Sequence, residues 1–142
     1  MENQAVCELC QPVGDILVST VEWRVILVDD PHYPGFCRVI WNDHVREMTD
    51  LTALQRARLM DVVWQVEMSI REVMQPSKVN LASFGNVVPH VHWHVIPRFA
   101  DDMHFPNPIW GQVERSINPA MQQRHTLLPK LRAAIQARWP EN

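Results

Sequence analysis

The apolar positions of this chain follow two rhythms. Residues 15–20, 23–28 and 36–41 are short runs rich in Val, Ile, Leu and Trp, which predict three β-strands. Only Val21-Glu22 joins the first two, and Asp29-Asp30-Pro31-His32-Tyr33-Pro34-Gly35 breaks the second from the third, so the three read as a meander. Near Thr49 or Asp50 the period becomes helical. Leu51, Leu54, Leu59, Val62, Val63, Val66, Ile70 and Val73 form one apolar stripe, which is a packing face, and Pro76 stops the helix just after Met74. Residues 79–84 and 91–97 predict two further strands around a loop at Gly85. An irregular, Pro-rich and acidic segment follows over 100–111, and a last helix over 129–138. Short links favour antiparallel pairing, so the expected class is α+β: five antiparallel strands, one long helix and a C-terminal helix.

Composition narrows the functional classes. At 142 residues and 46% hydrophobic content, the chain is expected to form a single domain over 1–142. A net charge of −3 supplies no broad basic field for polymeric nucleic acid, so a small ligand held by local donors fits better. No apolar run approaches the roughly 20 residues that cross a bilayer, and neither end carries a basic amphipathic helix, so no membrane partner is expected. No apolar leader precedes Cys7, which points to the reducing cytoplasm.

The chemistry concentrates in His90-Val91-His92-Trp93-His94, which holds three of the seven histidines. In a strand, alternation puts all three imidazoles on one side, with neighbours roughly 6.5 to 7 Å apart. A wet strand face carrying polar residues and a metal site using two of the imidazoles are both compatible with this spacing. Acid–base or nucleophilic work is favoured, because His titrates near neutrality. A neutral imidazole attacks through one nitrogen when the other donates its proton to a fixed acceptor, and a strand carbonyl can supply that acceptor.

Residues 90–96 fill every position of the signature His-φ-His-φ-His-φ-φ, with φ apolar, and Phe84-Gly85-Asn86-Val87-Val88-Pro89 resembles the glycine loop before it. The chain thus resembles the histidine-triad (HIT) family over about residues 5–110, leaving 111–142 as a C-terminal extension. The resemblance implies a HIT-like fold, a homodimer, and hydrolysis of nucleoside phosphates, either dinucleoside polyphosphates or nucleoside phosphoramidates. His92 would attack the α-phosphate to form a nucleotidyl-histidine, and His94 would donate to a non-bridging oxygen. Asn86 and Asn80 would lie on the phosphate side, though an Asn beside Gly also suits a turn. Arg98 either reaches a distal phosphate or forms an ion pair. Two departures stand out: Phe36 follows Gly35 where many members carry His, and Val87 replaces a common Ser or Thr. The source of leaving-group protonation is therefore open. So are two alternatives, a nucleotidyltransferase using the same intermediate and a nucleotide-binding regulatory protein.

Cys7-Glu8-Leu9-Cys10 forms a second cluster, whose thiolates can share one zinc. A disulfide, a redox pair and idle thiols are the other readings. A reducing compartment disfavours the first, and the turn-like Gln11-Pro12-Val13-Gly14 disfavours the second. Zinc-binding HIT relatives and the similar hexose-1-phosphate uridylyltransferases place a ligand where His44 stands, and the resemblance implies His90 as the fourth. That zinc would be structural and leave His92 free. Cys37 reads as a core filler. Trp110 could offer a stacking face for a base, but the reading preferred is an anchor for the C-terminal segment.

Overall fold

The computed structural model describes residues 7–141; residues 1–6 and 142 of the expected domain lie outside the described residues. Strands β1 (Asp15–Ser19), β2 (Trp23–Leu27), β3 (Cys37–Trp41), β4 (Lys78–Ala82) and β5 (His92–Arg98) form one antiparallel sheet in the order β1-β2-β3-β5-β4. Helix α1 (Ala53–Met74) lies between β3 and β4 in sequence, and α2 (Ala120–His125) and α3 (Leu128–Gln136) close the chain. Among the described residues no helix is long and apolar enough to cross a membrane.

Alternation divides the sheet into two working faces. Val25, Cys37, Val39, Trp41 and Val95 point to one side and pack on Leu59, Val62, Val63, Val66 and Ile70 of α1 and on Leu131 and Ile135 of α3. Each apolar side chain so buried contributes ~1.5–3 kcal/mol, which fixes the register of every strand: a one-residue slip would expose this whole set. The register in turn places Arg38 opposite His94, Ile40 opposite His92, Ile26 opposite Arg38 and Ala82 opposite His94. These residues share the second face, which no long helix covers.

Helix α1 starts later than its apolar stripe suggests. Met48–Asp50 is a separate 3₁₀ turn, and Thr52 caps α1 by accepting from the Gln55 N–H while the Gln55 side chain accepts from the Thr52 N–H. This reciprocal box satisfies two end donors and sets the boundary. Leu54, counted into the core stripe, falls in the first turn and is 64% exposed, whereas Leu51 is buried ahead of the helix. Gln75 adopts a left-handed conformation at the other end, directly before Pro76. Helix α2 had no clear signature in the sequence.

The turn from Tyr33 into β3 depends on Gly35, at φ 89°, where an added Cβ would sit 3.2 Å from Met74 and Pro97 side-chain atoms. Residues 99–111 are irregular but firmly held. The buried Asp102 accepts from the backbone N–H groups of Phe99 (3.1 Å), His104 (3.0 Å) and Phe105 (2.7 Å), and from Arg98 Nε (2.8 Å) and a terminal Arg98 nitrogen (3.0 Å).

Candidate active site

On the uncovered face, β5 and the loop at Gly85 (φ 79°) border a cavity of about 450 Å³, with His92 and His94 on its floor. Arg38 of β3, Phe84 and Asn86 of the loop, and Trp110 complete much of its wall. The open volume and the mixture of aromatic and polar lining suit a small organic anion.

The backbone fixes the state of His92. Its Nδ1 lies 2.6 Å from the carbonyl oxygen of His90, and because a carbonyl can only accept, Nδ1 carries the proton and Nε2 the lone pair. Burial pushes the His92 pKa down, and the carbonyl bond only partly offsets this, so a neutral ring is favoured. His94 is pushed down to about 4, first by burial and then by His92 and Arg38. Its Nδ1 faces the donating Nε of Arg38 at 3.4 Å, which puts the His94 proton on Nε2. The two rings meet edge to face, 4.9 Å between centroids.

Aromatic groups surround His94. The Phe36 ring is stacked on it at 5.6 Å and 6°, Trp110 stands edge-on at 5.0 Å, and Phe84 lies 6.2 Å away while meeting Trp110 at right angles. Trp110 is 52% exposed at the rim, a position that fits the stacking face better than the anchor.

His90, His92 and His94 do not act as one row. His90 precedes β5, is buried, and donates from Nε2 to the Trp41 carbonyl at 2.5 Å, turning Nδ1 toward the N-terminal cysteines. The ligand atoms of Cys7, Cys10, His44 and His90 all lie within 4.8 Å of one another. His90 Nδ1 is 3.6 Å from each sulfur, and His44 Nδ1 is 3.3 Å from Cys10 Sγ and 3.3 Å from His90 Nδ1. Tetrahedral zinc with ordinary bond lengths has S···N edges of about 3.6 Å and N···N edges of about 3.3 Å. The donor set therefore fits zinc in type and in size. Burial and the neighbouring Cys7 push the Cys10 thiol up, a repulsion that a divalent cation would relieve. Cys37 is fully buried in the core, its thiol pushed up to about 12, and it is not part of this cluster.

Asn86 lines the cavity with His92 and His94, but Asn80 and Arg98 do not. Arg98 follows His94 and Ile96 on the same face, yet the chain turns back over it, leaving it 2% exposed. Its guanidinium donates to Asp102, to Asn80 Oδ1 at 2.7 Å and to the Asn107 carbonyl at 2.7 Å. Of the two readings of Arg98, the distal-phosphate contact is corrected and the ion pair stands, buried instead of solvated; Asn80, expected on the phosphate side, is corrected to a partner of Arg98. Conversely, Arg38 was missed as a site residue. The signal was the alternation Phe36, Arg38, Ile40, which puts a cation on the triad's face only once β3 is paired with β5.

The model of the HIT domain family matches residues 14–101, more than half of the chain. An AP-4-A phosphorylase of Mycobacterium tuberculosis is 32% identical over 87 residues, covering 57% of this chain and 45% of that protein. An asymmetrical bis(5'-nucleosyl)-tetraphosphatase of Schizosaccharomyces pombe is 31% identical over 111 residues, covering 74% of this chain and 61% of the relative. The chain therefore spans less than two thirds of either relative's length. A histidine triad protein from Bradyrhizobium japonicum superposes with a TM-score of 0.69 at 27% identity, over 84% of this chain and 89% of that one. A Zn-bound histidine triad family protein from Mycobacterium smegmatis shares the fold, with a TM-score of 0.65 at 20% identity over 99% and 100% of the two chains.

Proposed function

Since the chain belongs to the HIT domain family, we propose that it hydrolyses nucleoside phosphates, dinucleoside polyphosphates or nucleoside phosphoramidates, through a nucleotidyl intermediate on His92. The observation that carries this reading is the Nδ1–H of His92 bonded to the His90 carbonyl, which leaves the lone pair on Nε2 of a ring that lines an open cavity. The names of the tetraphosphatase and phosphorylase relatives support the substrate class.

In the first step the Nε2 lone pair forms a bond to the α-phosphorus while the bond from phosphorus to the leaving group breaks, its electron pair departing with that group. The Nδ1–H stays on the carbonyl and spreads the positive charge the ring acquires. His94 Nε2–H donates to a non-bridging oxygen, where charge develops in flight. In the second step water attacks phosphorus, the P–N bond breaks with its electron pair returning to Nε2, and the proton water loses passes to solvent, which regenerates neutral His92 and releases the nucleotide. Asn86, on the loop facing both imidazoles, would donate its amide to the phosphate or the leaving group. A transferase that uses an acceptor other than water is the second reading, favoured by the relative named a phosphorylase.

Cys7, Cys10, His44 and His90 would hold one zinc, a closed structural site that pins the N-terminal turn to the start of β5 without using His92. We also propose a homodimer: β4 is an unpaired sheet edge, and Trp64 (44% exposed) and Met68 (39%) stand on α1, whose Glu67 lines a groove with β4. A cytoplasmic location accords with the unpaired thiols of Cys7, Cys10 and Cys37.

Single-turnover labelling with a nucleotide radiolabelled at the α-phosphate tests the central step. We expect an acid-labile, base-stable adduct that chases with turnover in the native protein and is lost in His92→Asn, with nucleotide affinity kept within a few-fold. Full turnover by His92→Asn would remove the nucleophile, and saturable binding with no adduct in the native protein would favour a regulatory role.

A further inference from the structure

Arg38 is the cation of the cavity that the two-histidine chemistry leaves unused. It lies directly across the sheet from His94, its Nε donates to His94 Nδ1, and its guanidinium carbon stands 5.6 Å from the centre of the Phe36 ring. Its terminal nitrogens make no hydrogen bond to any described residue, and it forms no ion pair among them. The charges that face it are Glu8, across the cavity in the N-terminal turn, and the imidazoles of His92 and His94. The other arginines on or near this face are committed elsewhere: Arg24 to the carbonyls of Leu9 and Gln11, Arg98 to Asp102. A partly buried guanidinium with four unengaged N–H groups, held by a strand and an aromatic ring beside a nucleophile, is laid out for a phosphate oxygen pair.

The residues around the attacked phosphorus sharpen the consequence. An amine or alkoxide needs a proton as it departs, whereas a phosphate or oligophosphate departs as a stable anion. Phe36 and Val87 bring no proton to the site, and Arg38 brings a fixed charge. We propose that Arg38 binds a phosphate adjoining the one attacked, so that this site selects nucleotides whose leaving group is a phosphate anion over those that release an amine. The proposal rests on the nucleotide reading of the cavity given above. In the balanced step, the bond from the α-phosphorus to the bridging oxygen breaks, its electron pair stays on that oxygen, and Arg38 takes up the charge without transferring a proton.

The test separates binding from chemistry. AMP and ADP are titrated calorimetrically into the native protein, Arg38→Lys and Arg38→Met, the latter keeping the stem and losing the charge. ADP should bind the native protein at least tenfold more tightly than AMP, the scale of one hydrogen-bonded charge. The preference should collapse to within about threefold in Arg38→Met and recover in part in Arg38→Lys. Turnover is then compared on a dinucleoside polyphosphate and an adenosine phosphoramidate. Arg38→Met should lower kcat/KM at least tenfold more on the first substrate than on the second. An ADP preference that is missing in the native protein, or unchanged in Arg38→Met with its fold verified by circular dichroism, overturns the proposal. So does an equal loss on both substrates with no rescue by Lys, which would make Arg38 only a prop for His94. No turnover on either substrate alongside an Arg38-dependent ADP preference would instead sink the hydrolase reading and leave the phosphate role standing.

Discussion

Replacing Asp102 with Ala should cost more stability than any other single change on the open face of the sheet. The carboxylate and its Arg98 partner have side chains only 0% and 2% exposed, so neither can recover its bonds from water. Two guanidinium bonds of 2.8 and 3.0 Å and three backbone N–H bonds of 2.7 to 3.1 Å would be lost together, leaving a cation and three donors unpaired. Removing one partner of a buried pair costs ~3–5 kcal/mol, the stranded charge accounting for most of it. At ~3–4 °C per kcal/mol for a chain of this size, Tm should fall by ~10–20 °C in thermal melts followed by circular dichroism at pH 7. Asp102→Asn keeps one acceptor and the shape, and should lose about half as much.

Acid supplies an independent check on the same group. Burial pushes the Asp102 carboxyl up, but the bonds from Arg98 and from the Phe99 and His104 N–H groups outweigh it and hold the pKa below the ordinary carboxylate range. A depressed folded pKa contributes stability that is complete above the unfolded value, ~3.9, and is lost as pH falls through the folded value. The gap in Tm between the native protein and Asp102→Ala should therefore be constant near neutrality and narrow progressively below about pH 4. A drop of less than 3 °C at pH 7, or a gap that widens in acid, would show that Asp102 is not the organising acceptor of residues 99–111.

Two further outcomes follow from the proposals above. Chelation, and separately Cys10→Ser, should lower Tm while leaving single-turnover adduct formation on His92 nearly unchanged at temperatures where the fold persists; stoichiometric metal missing from the purified protein together with an unchanged Tm for Cys10→Ser would return the cysteines to idle thiols. Light scattering should report about twice the 16.6 kDa chain mass at micromolar concentration, a value that Trp64→Lys should reduce, and a native monomer would remove the dimer but not the chemistry.

Strand positions were legible because burial on one face leaves a period that survives without the structure. Residues 15–20, 23–28, 36–41, 79–84 and 91–97 each became a strand with ends shifted by at most two positions. The long helix was legible for the same reason, but its start was not, because Leu51 and Leu54 fit the stripe while the Thr52–Gln55 box set the boundary two or three residues later than expected. Helix α2 carries one buried apolar residue, Met121, which is too little to make a period.

The triad and the paired cysteines were readable from local spacing, since strand alternation or a two-residue gap already brings such side chains together. What local spacing could not supply was which imidazole belongs to which centre, and what the strand pairing sets beside them. His90 leaves the row because it precedes β5 and bonds to Trp41, some fifty residues away, so its Nδ1 meets Cys7, Cys10 and His44 rather than the cavity. The placing of Arg98 and Arg38 has the same kind of long-range cause. Arg98, on the triad's own strand, is capped by the turn that Asp102 organises, while Arg38 reaches the cavity only because the β3–β5 register puts it across from His94. A charge in the middle of a strand whose other face is core is costly to place unless it has somewhere polar to point. Its position between Cys37 and Val39, both fully buried, leaves the cavity as the polar space it can point to, which accords with the proposal that a phosphate meets it there.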